Sequence, residues 1–413
     1  MKCFINDQVV LSQPLEGPLA PHIVSFANWA HTQGYAVSTR HRQVFLAADF
    51  SRWLLHKDVS VQDVCADHPG QYLRHRARRR CIAPDDAPAL KHFMAFLRRE
   101  GAIAAAQTAP CPITPVEQCV QEFERYLRDE RLLARATIIH YLPFIRLLLS
   151  ERFANQPVRL GDLCAREVIG FVKRQASRSH IKHAKCLTTA LRAFFHYARY
   201  RGEITADLAA AVPTVAGWSM SSIPRAIPAD QVRKLLAGVG RGSTTQRRDY
   251  AILLLLARLG LRASEVVFLE LDDIDWAAGC LNVRRRKGGQ STKLPLPTDV
   301  GEAMVAYLQH GRPQSASRRV FLRVKAPIRG FRGPCAIRSI VCQAIERTGI
   351  DAPTRGAHQF RHALATRMLR QGNSLSEIGA VLGHRSPETT RIYAKVDLDA
   401  LRTLALPWPG GAR

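Results

Sequence analysis

The chain has 413 residues, 46% of them apolar, which suits two or three globular domains rather than a single core. Sixty Lys and Arg against 34 Asp and Glu give a formal charge of +26, an excess that favours a polyanionic partner, nucleic acid before membrane. The longest apolar stretch, Ala251–Ala257, falls far short of the ~20 residues needed to span a bilayer, and the ten cysteines form no C-x-x-C pair and no Cys/His cluster of zinc spacing. The cysteines therefore read as reduced thiols, mostly core filler. Met1–Val10 has no long apolar run, so no signal peptide and a cytoplasmic, nucleoid-associated location are expected.

In chain order, the first half is helical by pattern and carries a weak repeat. Phe26-Ala-Asn-Trp29 matches Phe123-Glu-Arg-Tyr126, Thr39 matches Thr137, and Phe50-Ser-Arg-Trp-Leu54 matches Phe144-Ile-Arg-Leu-Leu148. Val61–Val64 matches Leu160–Leu163, and His92–Ile103 matches Ala193–Ile204. Five matches in one order predict a duplicated unit of four or five amphipathic helices. Two segments without helical periodicity, 107–115 (rich in Pro and Thr) and 212–228 (rich in Pro and Ser), separate the parts, which places domains at 1–108, 113–212 and 225–413.

The last part is predicted to be α+β. A helix starts at Ala229, and Asp249–Leu259 is a buried helix ended by Gly260. Leu281–Arg284 and Thr292–Leu296 alternate as short strands about a Lys287-Gly288-Gly289 turn. Helices follow at 299–310, 335–348, 357–371, 375–382 and 386–395, and the tail 397–406 has a short amphipathic pattern. The fold class is thus mainly α, helical N-terminal domains followed by a domain with a small antiparallel sheet.

The chemistry concentrates near the C-terminus. His358 and Arg361 share a helix face at i and i+3, His384 sits in a Leu-Gly-His turn, and Tyr393 lies on the helix that Ser386-Pro387 starts. Upstream, Arg262 follows the glycine-terminated helix, with Glu265 one turn on. A tyrosine hydroxyl, with a free pKa of ~10, is a weak nucleophile at neutral pH. Arginines around a phosphodiester would neutralise charge in the transition state and favour the phenolate, because the guanidinium fork binds two oxygens and keeps its charge. Two basic faces invite phosphate contact: Gln71–Arg80, and Lys173, Arg174, Arg178, His180, Lys182 and Lys185.

Together these strings resemble the tyrosine recombinase (phage integrase) family. Gly260-Leu-Arg262-Ala-Ser-Glu265 is similar to its first arginine motif. His358-Gln-Phe-Arg361-His362 is similar to its second, and Leu382-Gly-His384 through Tyr393 to its nucleophile motif. The resemblance covers roughly 113–413 and implies a SAM-like helical core-binding domain and a catalytic domain. It implies that Tyr393 attacks the scissile phosphate to give a 3′-phosphotyrosyl bond, with Arg262, Arg361 and His384 stabilising the phosphate. His358 would assist proton transfer at the tyrosine or the phosphate and Glu265 would orient neighbouring basic groups. Lys287 maps onto the family's hairpin lysine, the general acid for the leaving 5′-hydroxyl. Arg286 replaces the commoner preceding Gly, and Arg284, Arg285 and Lys293 share the hairpin. His362 is expected to pack behind the site. No cofactor and no metal ligands are expected. The expected partners are duplex DNA and further protomers, a tetramer on two DNA sites, with itself or a partner recombinase. The tail would dock on a neighbouring subunit. The alternatives are a type IB topoisomerase sharing the chemistry, and a DNA-binding regulator with relic residues.

Overall fold

The computed structural model describes residues 14–104, 113–154, 156–216, 223–284, 291–384 and 386–396, together with the backbone of 3–5 and 9–11. Contacts group the chain into two compact units, one made of 1–106 with 222–413 and the other of 107–221. The architecture is mainly helical with a small three-stranded antiparallel sheet, the fold class that the sequence predicts. Among the described residues, no helix is long and apolar enough to cross a membrane.

The first unit opens with a hairpin that helical patterning does not announce, β1 (Cys3–Ile5) paired antiparallel with β2 (Val9–Leu11). Then come α1 (Ala20–Thr32), α2 (Val37–Leu55), α3 (His68–Ala77) and α4 (Asp86–Arg99). Their apolar faces close on a core that includes Ile23, Phe26, Val44, Phe50, Phe93 and Leu97. In the basic α3, Arg76 is drawn inward by Asp49 at 2.7 Å and Asp86 at 3.6 Å, whereas Arg74 and, just past the helix, Arg78, Arg79 and Arg80 are exposed.

The 107–221 unit begins with α5 (Pro115–Arg125). Thr114 caps it by accepting the Glu117 N–H at 3.2 Å, and Pro115, which lacks a donor, stands in the first turn. A π turn, Tyr126–Glu130, leads to α6 (Arg135–Phe153), α7 (Ala165–Ser177), α8 (Ile181–Tyr200) and α9 (Leu208–Ala211). The sequence repeat has a structural counterpart here. Phe123 stacks on Tyr126 at 6.4 Å and meets Phe194 at 5.2 Å and Tyr197 at 5.3 Å. In the N-terminal helices Phe26 stacks on Trp29 at 5.6 Å and meets Phe93 at 4.8 Å and Phe96 at 5.5 Å. Each contact joins the residues that the repeat pairs by sequence.

In the first unit's C-terminal part, α10 (Ala229–Ala237) precedes α11 (Thr244–Leu259). Ser243 starts α11 by a reciprocal cap with Gln246. Ala251 to Leu256 are all buried, at about 1.5–3 kcal/mol for each large side chain, so α11 is the post about which the other elements pack. After α12 (Ala263–Val267) come β3 (Ile274–Asp275), β4 (Cys280–Arg284) and β5 (Ser291–Pro295), in sheet order β3-β4-β5. Leu281 pairs with Leu294 and Val283 with Thr292, so alternation puts Leu281, Val283 and Leu294 on the buried face. Two-residue β3 is too short to show alternation, which is why only two strands are legible in sequence. The Lys287-Gly288-Gly289 turn and the 397–406 tail lie outside the described residues.

The chain ends with α13 (Thr298–His310), α14 (Cys335–Thr348), α15 (His358–Arg370), α16 (Leu375–Leu382) and α17 (Pro387–Thr390), followed by a 3₁₀ turn, Arg391–Val396. The predicted single helix over 386–395 is therefore split, its second half tightened as helix ends commonly are. The cysteines differ from expectation too. Cys65, Cys81, Cys164 and Cys335 are exposed and Cys119, Cys186, Cys280 and Cys342 partly so, because several stand at helix or strand ends where backbone rather than packing sets the position.

Candidate active site

Gly260 ends α11 in the left-handed region at φ +59°, which glycine adopts without a Cβ penalty. A Cβ there would lie 2.8 Å from Leu364 Cδ2 and 3.0 Å from Leu382 Cδ2, so the chain passes between α15 and α16 with no room for a side chain. Arg262 follows at the start of α12. Its backbone N–H donates to Glu265 Oε2 at 2.8 Å and its Nη1 to Oε1 at 2.7 Å, so one carboxylate fixes both ends of the residue. Arg262 Nη2 also reaches the Gly383 carbonyl at 3.4 Å.

Arg361 is 3% exposed on α15. Its Nη1 donates to the Gly260 carbonyl at 2.8 Å, and its Nη2 donates to the Leu382 carbonyl. One guanidinium thus ties the end of α11 to the end of α16. Both carbonyls belong to helix ends, where acceptors lack intrahelical partners and carry negative partial charge.

Gly383, at φ +61°, turns the chain out of α16 and delivers His384. His384 Nδ1 lies 2.8 Å from the hydroxyl of buried Thr390, and its ring stacks on Tyr393 at 6.4 Å with the planes 6° apart. Tyr393 is 2% exposed. Burial pushes its phenol above the usual range, while Arg361 and Arg262 pull it back. Its Oη lies 3.0 Å from His362 Nδ1. His362 packs edge-on against the exposed His358 at 5.0 Å. Burial first, then His358 and Arg361, hold the His362 imidazole down to about 4, so it is neutral at pH 7.

The fold therefore brings Arg262, Glu265, Arg361, His384 and Tyr393 together, and His358 joins them through His362. Lys287 lies outside the described residues. His362, expected to pack behind the site, instead touches the tyrosine oxygen, and Thr390, which the sequence did not single out, holds His384. The available signal for His362 was its spacing, one turn after His358 and adjacent to Arg361. Among the described residues no group of three or more His, Cys, Asp and Glu stands close enough to hold a metal ion.

Comparison with known proteins identifies the family. The Phage integrase family profile matches residues 225–399, which contain every residue named above. The putative integrase/recombinase y4rA of Sinorhizobium fredii is 55% identical over 413 residues, the whole of both chains. Tyrosine recombinase XerD of Mycobacterium tuberculosis is 31% identical over 311 residues, 70% of this chain and 96% of that protein. The fold is similar to that of the XerH site-specific recombinase bound to palindromic difH substrate in a post-cleavage complex. That likeness has a TM-score of 0.55 at 18% identity, covering 81% of this chain and 93% of that one. With a full-length relative at 55% identity and a tyrosine flanked by arginines and histidines, the chain belongs to the phage integrase family and is a tyrosine recombinase, an enzyme of site-specific recombination.

Proposed function

We propose that this protein cleaves and rejoins duplex DNA through a covalent bond between Tyr393 and a 3′-phosphate, acting as an integrase carried by a mobile element. One observation carries the reading: Tyr393 lies within the electrostatic influence of both Arg361 and Arg262 and is flanked by His384 and His362. In this reading Arg262 and Arg361, with His384, neutralise the charge that builds on the non-bridging oxygens. Glu265 keeps Arg262 aimed, a role its two-point hold on that residue supports. Lys287 protonates the leaving 5′-oxygen, and His358 assists proton transfer at the tyrosine or the phosphate. The phosphotyrosyl ester keeps the energy of the bond it replaces, so rejoining needs no ATP. The arginines provide the positive charge that other phosphoryl-transfer sites obtain from a metal ion. Because Tyr393 is buried, the Arg391–Val396 turn has to yield as DNA enters.

We place helical domains at 1–108 and 113–212 and the catalytic domain at 225–413. The repeated aromatic centre supports reading the first as a second copy of the other. Arg74, Arg78, Arg79 and Arg80 would meet phosphates there, as Lys173, Lys182 and Lys185 would in 113–212. The working form would be a tetramer on two DNA sites, formed by this chain alone or with a partner recombinase.

The test is capture of DNA ends. The full chain is incubated with nicked fragments of genomic DNA from the organism that carries it, and the covalently held ends are sequenced. The wild type is expected to retain ends of one shared sequence and the Tyr393→Phe variant none. Equal capture by Tyr393→Phe would remove Tyr393 as nucleophile. Ends without a shared sequence, with relaxation of supercoiled plasmid, would identify a topoisomerase instead.

A further inference from the structure

We propose that His362 is a further catalytic residue, the base that takes the phenolic proton of Tyr393 as its oxygen attacks the phosphate. The inference rests on Tyr393 being the nucleophile. The geometry supplies the rest. His362 Nδ1 lies 3.0 Å from Tyr393 Oη, within the reach a general base requires. The imidazole is partly buried beside the tyrosine ring, with centroids 5.7 Å apart. His384 turns its Nδ1 to the Thr390 hydroxyl, and His358 stands exposed at the start of α15, its ring against that of His362. Among the described residues, the His362 ring nitrogen stands at hydrogen-bond distance from the reacting oxygen.

The step balances without a co-reactant. A neutral imidazole with its proton on Nε2 offers Nδ1 as acceptor to the phenol O–H. As Oη forms the new P–O bond, its proton passes to Nδ1, the P–O5′ bond breaks, and the leaving 5′-oxygen takes a proton from the general acid. In the rejoining direction the 5′-hydroxyl attacks as its proton returns to the deprotonated general acid, the P–Oη bond breaks, and His362 gives its proton back to Oη. The groups facing the pair are His358 and Arg361 on α15, Arg262 ahead of α12 and His384 after α16. Burial first, and then His358 and Arg361, weaken His362 as a base. The phosphodiester anion offsets the part that the cations contribute as it binds.

The experiment uses the full chain and a nicked duplex carrying the sequence recovered in the capture assay. One version has an ordinary 5′-oxygen at the scissile bond and one a bridging 5′-sulfur, whose thiolate leaves without an acid. His362→Asn keeps an acceptor near the Nδ1 position but cannot take up a proton at neutral pH, and His362→Ala removes the group. Both are expected to bind duplex as the wild type does and to lose about 10²–10⁴-fold in the rate of covalent adduct formation at pH 7. The loss should persist with the sulfur substrate and shrink as the pH rises toward ionisation of the phenol. Wild-type cleavage by His362→Asn would reduce His362 to a hydrogen-bonding support and overturn the proposal. Full rescue by the sulfur leaving group would also overturn it, by moving His362 to the other side of the reaction. If His362→Ala does not fold, His362→Asn decides alone. An active Tyr393→Phe variant would sink the nucleophile reading itself, whereas an inactive Tyr393→Phe beside a fully active His362→Asn sinks only the present inference.

Discussion

Replacing Arg361 by alanine is expected to loosen the fold as well as to abolish cleavage. The side chain is 3% exposed and donates to two carbonyls, those of Gly260 and Leu382. Hydrogen bonds to a charged partner contribute about 1.5–3 kcal/mol each, and buried acceptors left without donors keep their desolvation cost, so the loss sums to about 3–6 kcal/mol. For a body of this size that corresponds to a fall in melting temperature of roughly 6–24 °C. Arg262→Ala is the control. Its side chain is 37% exposed and its principal partner, Glu265, lies in the same short helix, so about 1 kcal/mol is expected. Arg361→Lys, which reaches one carbonyl at most, should fall between them. Thermal unfolding of the full chain gives the magnitude, and hydrogen exchange on peptides from α11, α15 and α16 gives the place. If Arg361→Ala melts and exchanges like Arg262→Ala, the guanidinium does not tie α11 to α16 and the reasoning is wrong.

Gly260→Ala is expected to lose stability through the same junction. The left-handed backbone alone costs about 1–2 kcal/mol for a residue with a Cβ, and the close approach to Leu364 and Leu382 adds to it, so an unchanged unfolding midpoint would refute the close packing. The depressed His362 gives stability a pH dependence of definite sign. The folded state resists protonating an imidazole that the unfolded chain protonates at its ordinary 6.5, so His362's contribution is fully present above that value and lost as pH falls toward about 4. Denaturation midpoints measured across that window should fall less in His362→Asn than in the wild type. Changing Arg74, Arg78, Arg79 and Arg80 together to alanine should weaken duplex binding and flatten its salt dependence by about 0.9 logarithmic units for each phosphate no longer neutralised, and an unchanged slope would take α3 off the DNA.

The sequence by itself determined the elements whose signals are local. Helix periodicity, glycine stops at Gly260 and Gly383, and strand alternation in β4 and β5 are written within a few residues each. The repeat was legible for the same reason, since Phe26 and Phe123 each sit at a fixed spacing from the next aromatic on their helix. Arg262, Arg361, His384 and Tyr393 could be singled out because charge and spacing mark them. Tertiary structure alone decided what each side chain touches. Arg361 meets the ends of two helices remote from it in sequence, His362 reaches the tyrosine oxygen, and Thr390 holds His384. Those pairings depend on how α11, α15 and α16 cross and on where the 3₁₀ turn carries Tyr393. Packing sets both through the burial of residues such as Leu364, Leu382 and Tyr393, and periodicity within one segment cannot encode it.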